Sequence, residues 1–279
     1  MRTEPRPERR LERHRDDASL GRRALWVLAV IAVVIGGWYA YRQVTVEPAP
    51  PPEVVQEPVR EVAEVPAIEH PVEPVPEAEP LPPLDGSDTF ATAQLAALLG
   101  AETVASLFLT DDLVRRITVT VDNLPREKVA LRQRPLKPMD SPFVASGAEG
   151  EWFLGPDNYA RYAPWVRIVE GLDPDAVAAL YTRLYPLFQQ AYVELGHLDG
   201  YFNDRVVEVI DHLLAAPLPD GPVALVRPNV MYQFADPALE SRSAGQKFLV
   251  RMGPDNAARV KAQLRALRER LASSPPPAG

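Results

Sequence analysis

Apolar and polar positions divide the chain into five stretches. Residues 1–23 form an arginine-rich tail. Ala24 to Tyr41, ALWVLAVIAVVIGGWYAY, is an uncharged, mainly apolar run of 18 residues. As a helix it rises about 27 Å, just enough to cross a bilayer. Over residues 42–83 no apolar periodicity develops, because prolines interrupt it throughout. From Leu84 to Ala272 apolar residues recur at spacings of three and four, which predicts a predominantly helical globular domain with at most a few short strands. The remaining residues 273–279, SSPPPAG, read as a disordered tail.

Within the folded stretch, Ser87 and Asp88 predict a helix start with Gly100 as its stop, and a short second helix follows over 102–108. Thr110-Asp111-Asp112 is another N-terminal signature, but Ile117 to Val121 is a β-branched run, so helix and strand compete there; the signature favours helix as far as Asn123. The clearest helix opens at Asp173 as N-cap with Pro174 at the first helical position, carries a stripe from Val177 to Leu195, and ends at Gly196. Pro186 inside it predicts a kink. After HLDGYFNDR a further helix starts at Asn203, with Phe202 and Val207 placed for a hydrophobic staple. Val223 to Phe234 predicts a short strand or two around Pro228. The chain then returns to helix over 237–252 and 254–271.

Charge gives the apolar run an orientation. Eight arginines precede it against five acids, whereas Arg42 is the only cation between it and Arg60. The positive-inside bias then places the N-terminus in the cytoplasm and everything after Tyr41 across a bacterial inner membrane, in the periplasm. Trp26 at one end and Trp38, Tyr39 and Tyr41 at the other fit interfacial aromatic belts. A cleaved signal peptide is the rival reading, but this run ends in aromatics and Arg42 rather than a small-x-small site. Between Val44 and Pro83 stand twelve prolines and nine glutamates against one arginine. That composition predicts a solvated polyproline-like tether reaching roughly 120 Å at about 3.1 Å per residue, with His70 playing no part. The net charge of −8 argues against nucleic-acid binding. With no cysteine, disulfides, thiolate nucleophiles and zinc-thiolate sites are excluded.

The stretches VTVDNLPREKVALRQRPLKP, NYARY, LYPLFQQAYVELGHLDGYFNDRVVEVIDHLLAAP and MYQFADPALESRSAGQKFLVRMGPDNAARVK together resemble the bacterial family called domain of unknown function 3014. The resemblance implies a largely proteobacterial protein with an N-terminal anchor and proline-rich spacer. It implies no activity and assigns no site residue.

Two clusters carry candidate chemistry. The first is His197, Asp199, Asn203, Asp204, Glu208, Asp211 and His212, in which Asp204, Glu208 and Asp211 fall on one helix face. Such a face suits a cation or acid–base work, although Asn203 and Asp204 equally suit a helix start. The second is Asn158, Tyr159, Arg161, Tyr162 and Trp165, whose aromatics are spaced like one helix face, fit for core packing or for a glycan or peptide. Lys261, Arg265 and Arg268 form a basic face expected to be solvated. No zincin, Walker, dinucleotide or nucleophile-elbow motif occurs, so neither metal nor cofactor is implied. Three expectations follow: a non-enzymatic binding or scaffold module docking on an envelope protein or peptidoglycan; a carboxylate-dependent peptidoglycan hydrolase or lyase using Glu194, Asp199 or Asp204; or an accessory subunit of an envelope transport or secretion complex, assembled through the anchor.

Overall fold

A computed structural model describes residues 67–73, 80–139 and 141–272. The run Ala24 to Tyr41, the arginine-rich tail, most of the spacer and residues 273–279 lie outside the described residues. Among the described residues, no single helix is long and apolar enough to cross a membrane.

Helix α1 (Asp88–Leu99) and helix α2 (Ala101–Leu107) break at Gly100, which takes φ +88°, and their axes bend by 116°. Asp88 does not cap its own helix. Its carboxylate accepts from the backbone N–H of Asp112 (2.8 Å) and Leu113 (2.9 Å), so it caps helix α3 (Leu113–Asn123) from a distance. The β-branched run therefore lies in a helix. Leu113, Val114 and Val119 are buried in it, and the buried Thr118 donates its hydroxyl to the carbonyl of Val114 at 2.9 Å, so no polar atom of that side chain is stranded.

Strand β1 (Trp152–Leu154) precedes two short helices, α4 (Pro156–Ala160) and α5 (Ala163–Glu170). Helix α6 (Pro174–Glu194) starts as expected, with the Asp173 carboxylate accepting from Asp175 N–H at 3.1 Å, and it runs on through Pro186. Helix α7 (Phe202–Leu214) begins one residue before the expected start, with Tyr201 as N-cap. Phe202 and Val207 are both buried, but in different clusters, so they form no staple. Strands β2 (Val223–Val226) and β3 (Gln233–Phe234) complete an antiparallel sheet of order β1-β2-β3, with Phe153 opposite Ala224 and Leu225 opposite Phe234.

The helix expected over 237–252 is two: α8 (Pro237–Glu240) and α9 (Ala244–Arg251). Ser243 separates them, because its hydroxyl caps Gln246 N–H at 3.2 Å. Helix α10 (Pro254–Ala272) packs across α5, α6 and α7. Its expected solvated basic face is corrected at two positions. Lys261 is buried and donates to the carbonyls of Leu214 (3.1 Å) and Ala216 at the end of α7, where a cation complements the helix dipole. Burial lowers its pKa. Arg268 pairs with Asp211, whose pKa that hydrogen bond lowers. The central core joins α3, α6 and α7 through Val114, Leu184, Phe188 and Phe202; each such side chain contributes about 1.5–3 kcal/mol by burial.

Candidate functional site

The loop between α6 and α7 is shaped by two glycines and one glutamine. Gly196 takes φ +103° just past the end of α6. At Gly200 a Cβ would meet Tyr192 Cε1 at 2.8 Å. Gln189 then fixes the chain from both sides: its amide donates to the Gly200 carbonyl, and its oxygen accepts from Phe202 N–H and Tyr185 Oη–H, each at 2.8 Å. Burial pushes the Tyr185 hydroxyl pKa well up, which keeps it a donor at any ordinary pH.

Held in this way, the loop forms one side of an open polar groove of about 520 Å³, to which it contributes His197, Asp199, Gly200 and Tyr201. Helix α3 adds Asp122 and the turn after it Arg126, α6 adds Tyr192, and α7 adds Asp204, Arg205 and Glu208. Asp122 is only 4% exposed. Its carboxylate accepts from Arg126 at 2.7 Å and from Arg205 Nε at 3.0 Å, and His197 Nε2 stands 3.6 Å away. Arg205 also donates to the Asp122 carbonyl (2.8 Å) and to Glu208 (2.7 Å). Burial opposes the charge on Arg205, and the carboxylates of Glu208 and Asp122 outweigh that cost, so its pKa is raised. The His197 ring stacks on Tyr192 with centroids 4.2 Å apart.

The opposite rim is made by the spacer. Ala67 and Glu69 line the groove, because residues 67–73 do not stand free of the domain. Asp204 accepts from the backbone N–H of Glu69 (3.1 Å) and His70 (2.7 Å). Tyr201 Oη accepts from Val72 N–H at 2.7 Å, and Asn203 Nδ2 donates to the His70 carbonyl at 2.8 Å. Val72 also packs against the central core. This strap corrects the reading of His70 as a residue without a part, and of the spacer as solvated throughout.

The expected sites are distributed as follows. His197, Asp199 and Asp204 line the groove. Asn203 is fully buried beside it, donating also to the Leu271 carbonyl at 3.1 Å. Asp211 belongs to the Arg268 pair, and His212 Nε2 meets Ser243 Oγ at 2.8 Å, so neither joins a common ligand face. Among the described residues, no cluster of three metal-ligating side chains is present. Glu194 pairs with Arg115 at 3.0 Å and does not line the groove.

The family described as protein of unknown function (DUF3014) matches residues 113–268. The chain belongs to this family. No curated protein and no solved structure matches it. The DUF3014 match takes in Asp122, Arg126, Tyr192, His197 and Arg205 but not the strap at 67–73.

The second cluster, also within the DUF3014 match, is a structural joint, and none of its members lines the groove. The single face expected of it is broken at Arg161, between α4 and α5. Asn158 is fully buried; its amide donates to the Arg251 carbonyl at 2.9 Å, and its oxygen accepts from Arg161 (2.9 Å) and Val144 N–H (3.3 Å). Arg161 lies over the rings of Phe143 and Tyr162, and Tyr162 meets Phe248 edge-on. Trp165 is half-buried on α5. Tyr159 lies against Gly253, which has φ +87°; a Cβ there would stand 2.5 Å from the ring. Gly253→Ala is therefore expected to lose about 3 kcal/mol through left-handed strain and overpacking together. Thermal denaturation followed by circular dichroism measures it, and a loss under about 1 kcal/mol would show that the joint adapts.

Proposed function

We propose that the protein is a membrane-anchored envelope module that binds a polar partner in the groove of its DUF3014 domain. Its address is the bacterial inner membrane, with Ala24 to Tyr41 as a single-pass anchor, residues 1–23 cytoplasmic and the domain periplasmic. The observation that carries the reading is the strap. The segment that leads to the anchor supplies Ala67 and Glu69 to the groove, so the tether and the binding surface are one device. With the strap seated, the stretch from the anchor to the domain runs over 42–66 and reaches about 80 Å at ~3.1 Å per residue; with the strap released it runs over 42–83 and reaches about 130 Å.

The ligand class follows from the lining, where charged side chains of both signs stand beside two tyrosines and a histidine. That surface suits a peptide-bearing partner, either the stem peptides of peptidoglycan or a segment of an envelope protein. Three of the five carboxylates that line the groove are already engaged, which favours binding over hydrolysis. Asp122 is held by two arginines, Asp204 by two backbone amides and Glu208 by Arg205.

Two measurements test this. Alkaline phosphatase fused after Gly279 should be active in cells; an inactive fusion would overturn the address. The full-length chain in neutral detergent should co-sediment with purified sacculi, or crosslink to one envelope protein, and His197→Ala with Asp199→Ala should weaken that binding about tenfold or more. Loss of neither interaction in the double variant sinks the groove as the binding surface. Release of soluble fragments from the sacculi would favour the hydrolase instead. If swapping Ala24 to Tyr41 for an unrelated membrane helix abolishes function, the anchor itself is the assembling element.

A further inference from the structure

A second concave site lies toward the N-terminal end of α3. The segment 126–137, REKVALRQRPLK, carries Arg126, Lys128, Arg132, Arg134 and Lys137 against Glu127 alone, in a chain whose net charge is −8. Part of this basic stretch folds back as a 3-10 turn (Leu131–Gln133) over α3. Between them is a pocket of about 150 Å³ lined by Asp112, Arg115, Arg116, Val119, Arg132 and Gln133.

The three arginines of this pocket are in different electrostatic states. Arg115 is neutralised by Asp85 at 2.6 Å and Glu194 at 3.0 Å. Arg116 is fixed as rigidly but by neutral groups: its Nε donates to the Asp111 carbonyl (2.6 Å), and one terminal nitrogen donates to the carbonyls of Arg132 (2.8 Å) and Arg134 (3.4 Å). Its other terminal nitrogen meets no acceptor among the described residues. No carboxylate lies within ion-pair distance of Arg116 or Arg132 among the described residues, the carboxylate contacts at this pocket all being made by Arg115. Arg134, whose carbonyl helps hold Arg116, has a buried Nε–H without an acceptor. A guanidinium oriented by backbone carbonyls keeps its full charge and has little rotamer entropy left to lose, which is the preorganised state of an anion receptor. Solvated basic faces lack both the concavity and the fixed orientation.

We propose that this pocket binds a phosphate-class oxyanion through Arg116 and Arg132, with the Gln133 amide as a further donor at the rim. Guanidinium groups from two elements offer donors to three oxygens, which suits a tetrahedral phosphate better than a planar carboxylate. The phosphate belongs either to a free anion or to a lipid headgroup, and the two sources are separable.

The test is calorimetric titration of the full-length chain, held in a neutral detergent in about 0.15 M chloride. The probes are inorganic phosphate, short-chain phosphatidylglycerol and short-chain phosphatidylcholine. Saturable binding of inorganic phosphate, weakened about tenfold or more by Arg132→Ala, supports a free oxyanion. Saturable binding of phosphatidylglycerol alone, with the same dependence, assigns the site to an anionic headgroup. Arg132 is exposed, and among the described residues its side chain makes no hydrogen bond or ion pair, so the variant should fold; Arg116→Lys keeps the charge, loses the fork and should weaken binding as well. No saturation by inorganic phosphate or phosphatidylglycerol on the order of 10 mM, or equal affinity in wild type and Arg132→Ala, overturns the proposal. Arg116 and Arg132 do not line the polar groove, so this result stands apart from the outcome there.

Discussion

Replacement of Asp122 by alanine is expected to cost about 3 kcal/mol of folding free energy, an effect far larger than its single carboxylate suggests. The carboxylate is buried, and the side chain of Arg205 is only 19% exposed. Removing one partner of a buried pair leaves the other charge desolvated without compensation, and such losses run to about 3–5 kcal/mol. The lower end applies because Arg205 keeps Glu208 at 2.7 Å. The pair with Arg126 contributes little to this figure, since the Arg126 side chain is 58% exposed and water screens it. For a domain of this size the loss corresponds to a fall in Tm of roughly 6–12 °C. Asp122→Asn keeps one acceptor oxygen, enough for Arg205 but not for the exposed Arg126 as well, and should lose about half as much. Thermal and urea denaturation of the two variants measure the difference. If Asp122→Ala melts within about 2 °C of wild type, the groove floor is not held by this pair.

Asp122 also marks the limit of what the sequence makes legible. The helices with local signals are readable: Asp173-Pro174 forms the cap it spells, and the middle of the stripe, Leu184, Phe188, Ala191 and Tyr192, is buried in α6, although its last member Leu195 is exposed. Where a helix boundary depends on a distant residue, local pattern failed. The start of α3 is capped by Asp88, 25 residues earlier, not by its own Thr110-Asp111-Asp112. Ser243 interrupts an otherwise continuous helical pattern because its hydroxyl is better used as a cap. The site follows the same rule. His197, Asp199 and Asp204 were visible as a dense polar cluster, and they line the groove. Nothing in the sequence pairs Asp122 with Arg205, since 83 residues separate them and no spacing rule connects them. Asn158 was singled out for its polarity, but that polarity is consumed in joining the Arg251 carbonyl to Arg161. The strap was the least legible element. It is held through backbone amides and a backbone carbonyl, which every sequence possesses, so composition alone reads it as a tether.

Asp204→Ala is expected to release that strap while leaving the domain folded. Hydrogen bonds to a charged acceptor contribute about 1.5–3 kcal/mol each, and Asp204 receives two of them, from Glu69 and His70. Part of that is recovered as the freed amides meet water, so the opening free energy of the strap should fall by about 2–3 kcal/mol, which is roughly a 30- to 150-fold loss of amide protection at His70. The proline content explains why so short a segment seats at all. His70 precedes Pro71, a position biased toward extended backbone. The strap therefore enters its site with much of its conformational entropy already spent, and Pro71 removes the one amide between His70 and Val72 that would otherwise need an acceptor. Hydrogen exchange resolved at residues 69–72 reads the effect directly. The global Tm should move far less than in Asp122→Ala, because the core beneath Val72 keeps its other contacts. Unchanged exchange at His70 would mean that Tyr201 and Asn203 suffice to hold the strap. A matched loss of protection in the strap and throughout α7 would mean that strap and domain unfold together, and the tether would then have one length rather than two.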